Sequence, residues 1–280
     1  MAGAYQHLLT DFKQNHDAGS VQLTLETLQA LYHYLTSKST LSLRQLQAIF
    51  TDLSTARPSM IVMANAISQW QQQLIDKNHD KQHYLDALQN VLDRLATASQ
   101  HTAQHALTLV KPGMTIISHS HSSQVLKVFQ LLAQQQRPIR VLQTLSAPGN
   151  EGLLVAKQLD QWDIPVTMIA DAAIGLSMAD ADLVLSGCDN WLQDHYFVNK
   201  TGTLLLALAA KMFNKPFWVL ADSFKNSPQQ HDTVLLESMP LYELHLPQGQ
   251  HISGQNIYFE TIPTRLIQGR IDEYGLHVNL

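Results

Sequence analysis

The chain has 280 residues, enough for one large α/β unit or a small domain beside a larger one, with a core that needs no covalent staples. Hydrophobic residues make up 45% and charged residues 15%, which excludes a charge-driven disordered chain; the net charge of −5 provides no global basic field for nucleic acid or an anionic membrane. A single cysteine excludes a disulfide framework and any multi-cysteine zinc module. His7, Asp11 and Lys13 stand where a secretory leader would be apolar, and the longest apolar run, Leu204 to Ala210, falls far short of the ~20 residues of a membrane span. The expectation is a cytoplasmic protein without a membrane or direct nucleic-acid partner.

Glycine and proline divide the chain. Only Gly3, Gly19 and Pro58 precede Lys111, so the first part lacks the punctuation that strands and turns require. Its apolar spacing is helical: Leu25, Leu28, Leu31, Tyr32 and Leu35; then Leu43, Leu46, Phe50 and Leu53; then Leu85, Leu88, Val91, Leu92 and Leu95. Ser42 with Gln45 reads as a capping box, and Pro58 ends that helix and begins another through Met60, Met63 and Ile67. From Lys111 the pattern switches to short β-rich runs at Met114–Ser118, Ile139–Leu145, Val166–Ala170, Leu183–Ser186, Phe217–Ala221 and Leu241–Leu246, the first five separated by helix-length segments. This alternation predicts an α/β fold: a helical N-terminal domain over 1–108, then a Rossmann-like domain with a mostly parallel sheet over 109–280.

Ligands of open α/β sheets bind beyond the carboxyl ends of the strands. Those ends carry Ser118 to Ser123, then Ser146 to Gly152, Asp171, Gly187-Cys188-Asp189, and Asp222-Ser223. Small, hydroxyl and acidic residues of this kind suit a polar, phosphorylated small molecule. The serine-rich turn reads either as an anion site at a helix N-terminus or as simple N-caps at Ser122 and Ser123. Asp189, on a tight turn at a strand end, is placed to bind a hydroxyl or move a proton; a structural turn aspartate is the alternative. Lys200 reads as a phosphate-neutralising charge or a solvated lysine where Asn199 to Thr203 opens a helix, and Gly202 permits close backbone approach. Cys188 reads as a small core residue. His119 and His121 are at most half of a metal site, with Asp171, Asp189 or His195 to complete it, and no metal is expected. No dinucleotide fingerprint and no Walker pattern occur, so no cofactor is expected either.

Several stretches together resemble a known family: Ala56 to Ser59, Ile117 to Ser120, Ile164 to Gly175, Ala181 to Asp189, Val198 to Thr203, and Asn256 to Glu260 followed by Ile262-Pro263 and Leu266 to Gly269. The chain resembles the alpha, beta and delta subunits of eukaryotic translation initiation factor 2B, whose enzyme relatives are methylthioribose-1-phosphate isomerase and ribose-1,5-bisphosphate isomerase. The resemblance implies a helical domain, a Rossmann-like domain, a homodimer formed through the latter, and a phosphorylated sugar or nucleotide monophosphate as ligand. By motif, Asp189 resembles the isomerases' catalytic aspartate, Asn199 and Lys200 resemble substrate-binding residues, and Arg57, Gly19 and Ser20 resemble phosphate contacts. His119 joins them as a candidate substrate-binding residue from the turn after the first strand. Ser120 stands where the isomerases carry a catalytic cysteine, and Leu145 and Ala147 stand where the methylthioribose type places Glu and Arg. A serine hydroxyl exchanges protons near neutral pH only with a partner base, so the expectation is a sugar-phosphate-binding regulatory protein without standard isomerase chemistry. The alternatives are an aldose-phosphate isomerase using Asp189 with Ser120 and a histidine, and a purely structural partner in an exchange-factor-like assembly.

Overall fold

The computed structural model describes residues 2–15, 19–58, 60–75, 80–236 and 238–278. Five helices come first: α1 (Ala2–Gln14), α2 (Ser20–Thr36), α3 (Leu43–Thr55), α4 (Ile61–Gln73) and α5 (Lys81–Ala106). The capping box at Ser42 forms in both directions, and Asp80 caps α5 by accepting from His83 N at 2.8 Å. The apolar faces meet in one core, with Leu28, Leu31, Leu46, Trp70 and Leu88 fully enclosed. Among the described residues no helix is long and apolar enough to cross a membrane.

The remainder alternates β1 (Thr115–Ser118), α6 (Ser123–Gln134), β2 (Arg140–Thr144), α7 (Gly152–Gln161), β3 (Val166–Ile169), a short α8 (Ile174–Ser177), β4 (Leu183–Ser186), β5 (Asn190–Leu192), β6 (Tyr196–Lys200), α9 (Thr203–Met212), β7 (Phe217–Leu220), β8 (Asn226–Ser227), β9 (Phe259–Pro263), β10 (Gly269–Asp272) and β11 (Gly275–Val278). One sheet runs in the order β11-β10-β7-β4-β1-β2-β3 and is parallel except for β11. Successive strand residues serve opposite faces. Ile116, Leu183, Leu185 and Leu220 enter one core, while Ile117, Val184 and Val219 enter the other. Burial on both faces is why these strands read as continuous apolar runs. A second sheet, β8-β5-β6-β9, lies at the carboxyl edge of the first and carries Phe197 and Ile262 into the second of those cores.

Two joints tie the helices to the sheet. The 26-residue α5 places Leu88 and Leu95 in the helical core and Ala103 and Ala106 in the core of the sheet. Phe224, beyond β7, is inserted in the helical core, and Asn65 Nδ2 donates to the carbonyls of Phe224 (2.7 Å) and Asn226 (2.8 Å).

Two features depart from the sequence reading. Leu241–Leu244 is a 3₁₀ turn, with Leu241 and Tyr242 exposed; an apolar run bounded by Pro240 and Pro247 finds no sheet edge to join. Asn199 and Lys200 close strand β6 instead of opening a helix, and α9 begins at Thr203 behind Gly202, whose φ of 107° only glycine adopts readily.

Candidate functional site

The strand order reverses direction between β1 and β4, and the loops leaving those two strands part there to form a crevice. Ser120 follows β1, Asp189 follows β4, and both line a narrow cleft with Gly19, Ser20, His119, Ser122, Asn199 and Lys225. The cleft offers about 30 Å³, room for one or two waters.

Two helix N-termini meet at this cleft. A Cβ built on Gly19, the N-cap of α2, would stand 3.2 Å from both the N and Oγ of Ser123, the first residue of α6. Each terminus presents backbone N–H groups and the positive end of a helix dipole. Lys225, only 4% exposed, reaches in from beyond β7 and donates to the carbonyl of Cys188. Arg57 is held by its bond to Asn15 O at 2.6 Å. Withdrawal from water raises the pKa of Asp189, while Lys225, a hydrogen bond from Ser20 and Arg57 pull it back. The cleft therefore combines two helix termini, two cations and one carboxylate that favours its protonated form more than usual.

His119 is fixed by the chain itself. Its Nε2 faces the carbonyl of Thr201 at 2.9 Å and must donate there, so in the neutral ring Nδ1 accepts from Thr144 Oγ1 at 2.7 Å. Thr144 Oγ1 in turn receives Ser146 Oγ at 3.0 Å, and Ser146 Oγ receives Ser120 N at 2.7 Å. Desolvation lowers the imidazole pKa to about 4, outweighing the opposing pull of Thr201 and Asp171. The Asp171 carboxylate, 3.8 Å from Nδ1, faces a neutral ring; it accepts from Ser146 N and Ala147 N, each at 2.8 Å, and clamps the turn after β2. Both imidazole nitrogens are thus committed, so His119 does not serve Ser120 as a base. Ser120 and Ser146 both hold φ at 63°, a left-handed backbone that serine adopts at a cost, and the hydrogen-bonded chain between them keeps the two turns in place.

Gly19, Ser20, His119, Ser120, Asp189 and Asn199 line the cleft, and Arg57 acts on Asp189 through its charge. Asn199 Nδ2 donates to Ser186 Oγ (3.0 Å) and Thr203 Oγ1 (2.9 Å), which leaves Oδ1 as its group for a ligand hydroxyl. Lys200 lies to one side, bonded to Glu151 Oε1 at 2.7 Å with its ammonium 3.5 Å from the Tyr258 ring centroid. The close approach that Gly202 allows is to the His119 ring, where a Cβ would stand 2.7 Å from Cε1. Cys188 is buried, and desolvation pushes its thiol pKa up to about 12. Ser59 of the Arg57 motif lies outside the described residues. Among the described residues, no group of three His, Cys, Asp or Glu side chains could hold a metal ion. Sequence reasoning missed Lys225, although the strand-end rule had led to Asp222 three residues earlier, and it named Glu151 without giving it a role.

The neutral imidazole has a pH signature. An unfolded histidine titrates near 6.5, so the stability contributed by neutral His119 is fully present above that value and is lost as pH falls toward about 4. Asp222, whose pKa burial raises to about 6, acts oppositely: its contribution is present below the usual aspartate value and is lost as pH rises through about 6. The difference between wild type and His119→Gln isolates the histidine. Urea unfolding at about pH 7 and about pH 5 should show a smaller acid loss in the variant, and an equal loss in both proteins would contradict a neutral buried ring.

Comparison with known proteins places this geometry. The family model described as the Initiation factor 2 subunit family matches residues 16–278. The chain is 34% identical over 186 residues to an eIF-2B subunit 2-like translation initiation factor of Pyrococcus furiosus, an alignment covering 66% of this chain and 65% of that one. It is 26% identical over 228 residues to a ribose 1,5-bisphosphate isomerase of Methanocaldococcus jannaschii, covering 80% of this chain and 74% of the other. Its fold matches the crystal structure of the Pyrococcus horikoshii translation initiation factor eIF-2B with a TM-score of 0.86 and 26% identity, over 98% of this chain and 96% of that one. Fold, crevice and sequence together make this chain a member of the Initiation factor 2 subunit family, to which sugar-phosphate isomerases are related.

Proposed function

We propose that this chain is a cytoplasmic sugar-phosphate-binding regulatory protein that lacks the ordinary isomerase reaction. The observation that carries the reading is the junction of the α2 and α6 N-termini with Lys225 and Arg57. Such a cluster of N–H donors and cations suits a phosphate with no metal. Asn199 Oδ1 and Asp189 then face the hydroxyls of the attached sugar. Ser120 in place of a thiol supports the absence of turnover, and His119, with both nitrogens committed, does not supply it with a base; His121, which also lines the cleft, is the histidine left to the isomerase reading. A sugar phosphate is larger than this cleft, so binding has to separate the α2 terminus from the sheet edge.

A second reading, an aldose-phosphate isomerase, draws on the raised pKa of Asp189, which suits a group that gives and takes a proton. A thermal-shift titration with ribose 1-phosphate and nucleoside monophosphates, followed by NMR of the sugar, separates the two. At a hundredfold excess over Kd a ligand adds ~2.7 kcal/mol, a shift of several degrees. The expected result is stabilisation without conversion, with Lys225→Met weakening binding about tenfold or more. Conversion that Asp189→Asn abolishes would replace the regulatory reading with the enzymatic one. No shift with any of these compounds would favour a structural partner.

We also propose a homodimer, formed through α9 and α8. Leu205, Leu208 and Met212 lie along one face of α9 at 58%, 49% and 81% exposure, and Leu176 of the adjoining α8 is 83% exposed. Apart from Thr203 at its start and Lys211 in its last turn, α9 is apolar all round, the pattern of a helix with a covered outer face. Sedimentation should give twice the chain mass for the wild type and the single mass for Leu208→Glu. A monomeric wild type would refute the assignment.

A further inference from the structure

Lys200 follows the cleft residue Asn199 on β6, and its partner Glu151 acts electrostatically on Asp189; at this end the electrostatics are reversed. Lys200, 3% exposed at its side chain, is neutralised by Glu151 at 2.7 Å. Tyr258 backs the ammonium and is itself pinned, its hydroxyl donating to Glu243 Oε2 at 2.7 Å. The N-terminus of α9 is the other electropositive feature here, and Glu260 Oε1 takes it up, accepting from Gly202 N and Leu204 N at 2.8 Å each. Both places where a phosphate could settle at this end are thus filled by the chain's own carboxylates. Glu151 Oε2 is moreover a buried acceptor with no hydrogen-bond partner among the described residues.

We propose that Glu151 is a specificity-determining residue: it restricts the ligand to one phosphate and offers its free oxygen to a hydroxyl at the ligand's other end. The inference rests on the sugar-phosphate reading and sharpens it. A phosphate carries about −1.5 to −2 charge near pH 7, and a second one at Lys200 would have to break a buried ion pair. It would then lie against the released carboxylate, which already acts on Asp189. A hydroxyl at the same point needs no such rearrangement, and it supplies the donor that Glu151 Oε2 lacks. The charges agree in kind: Glu151 already answers Lys200, while Lys225 and Arg57 act on Asp189 at the end where the α2 and α6 termini meet.

The test is calorimetric titration of the full chain and of Glu151→Gln with ribose 1-phosphate and with ribose 1,5-bisphosphate. The wild type should bind the monophosphate about tenfold or more tightly than the bisphosphate. Glu151→Gln, which releases Lys200 and weakens the acceptor offered to the hydroxyl, should shift the ratio of the two affinities by about tenfold or more toward the bisphosphate. The wild-type ratio decides the matter alone if the variant does not fold. Equal wild-type affinities, or a variant that shifts both ligands alike, would overturn the role of Glu151 while leaving the sugar-phosphate reading intact. Binding of neither compound by either protein would overturn that reading, and this inference with it.

Discussion

Two helix N-termini brought into contact form an electrostatically uphill arrangement. Each carries roughly half a positive charge, only α6 has a side-chain cap (Ser122 Oγ accepting from Val125 N), and α2 and α6 meet at Gly19 and Ser123 beside a buried lysine. Asp189 is the carboxylate in that spot, its pKa raised by withdrawal from water and pulled back by Lys225, Ser20 and Arg57. The rest of the site follows from this arrangement. An anion is the group that such a junction holds best, and the cleft between Gly19 of α2 and the loops after β1 and β4 encloses only about 30 Å³.

A rigid frame surrounds the junction. Neutral His119 ties the end of β1 to the end of β2 through Thr144 and to the turn before α9 through Thr201, three segments remote in sequence. Gly202 is required because the ring lies against it, and Asp171 is required because it fixes the turn from which Ser146 reaches Ser120. The strained φ at Ser120 and Ser146 is therefore held by partners on several strands. The frame also explains why residues that read as chemical in the sequence act here as supports. A polar side chain at a strand end can face a ligand or brace its neighbour, and only the partner geometry distinguishes the two.

The fold was legible where period and punctuation agree. The capping box at Ser42, the break at Pro58 and the first five parallel strands form as their residues suggest, because burial on both sheet faces imposes long apolar runs. The strands β5, β6 and β9 were not legible: they are short, and their pairing depends on a turn through His195 at φ 65° that no local pattern announces. The crevice between β1 and β4 could be located from strand ends alone, which brought Ser120 and Asp189 to attention. Lys225 enters from the turn beyond β7, the sheet neighbour of β4, and acts on Cys188, 37 residues away. Glu151 and Lys200 are 49 residues apart, so the pair that cancels the Lys200 charge is a tertiary fact with no local trace.

The central claim is that phosphate settles at the junction of α2 and α6 and not at Lys200. A crystal structure of the chain with ribose 1-phosphate tests this most directly. The account predicts the phosphate within hydrogen-bond reach of the first-turn amides of both helices and of Lys225 Nζ, with the Glu151–Lys200 pair intact. A phosphate seated on Lys200 with Glu151 displaced would contradict it.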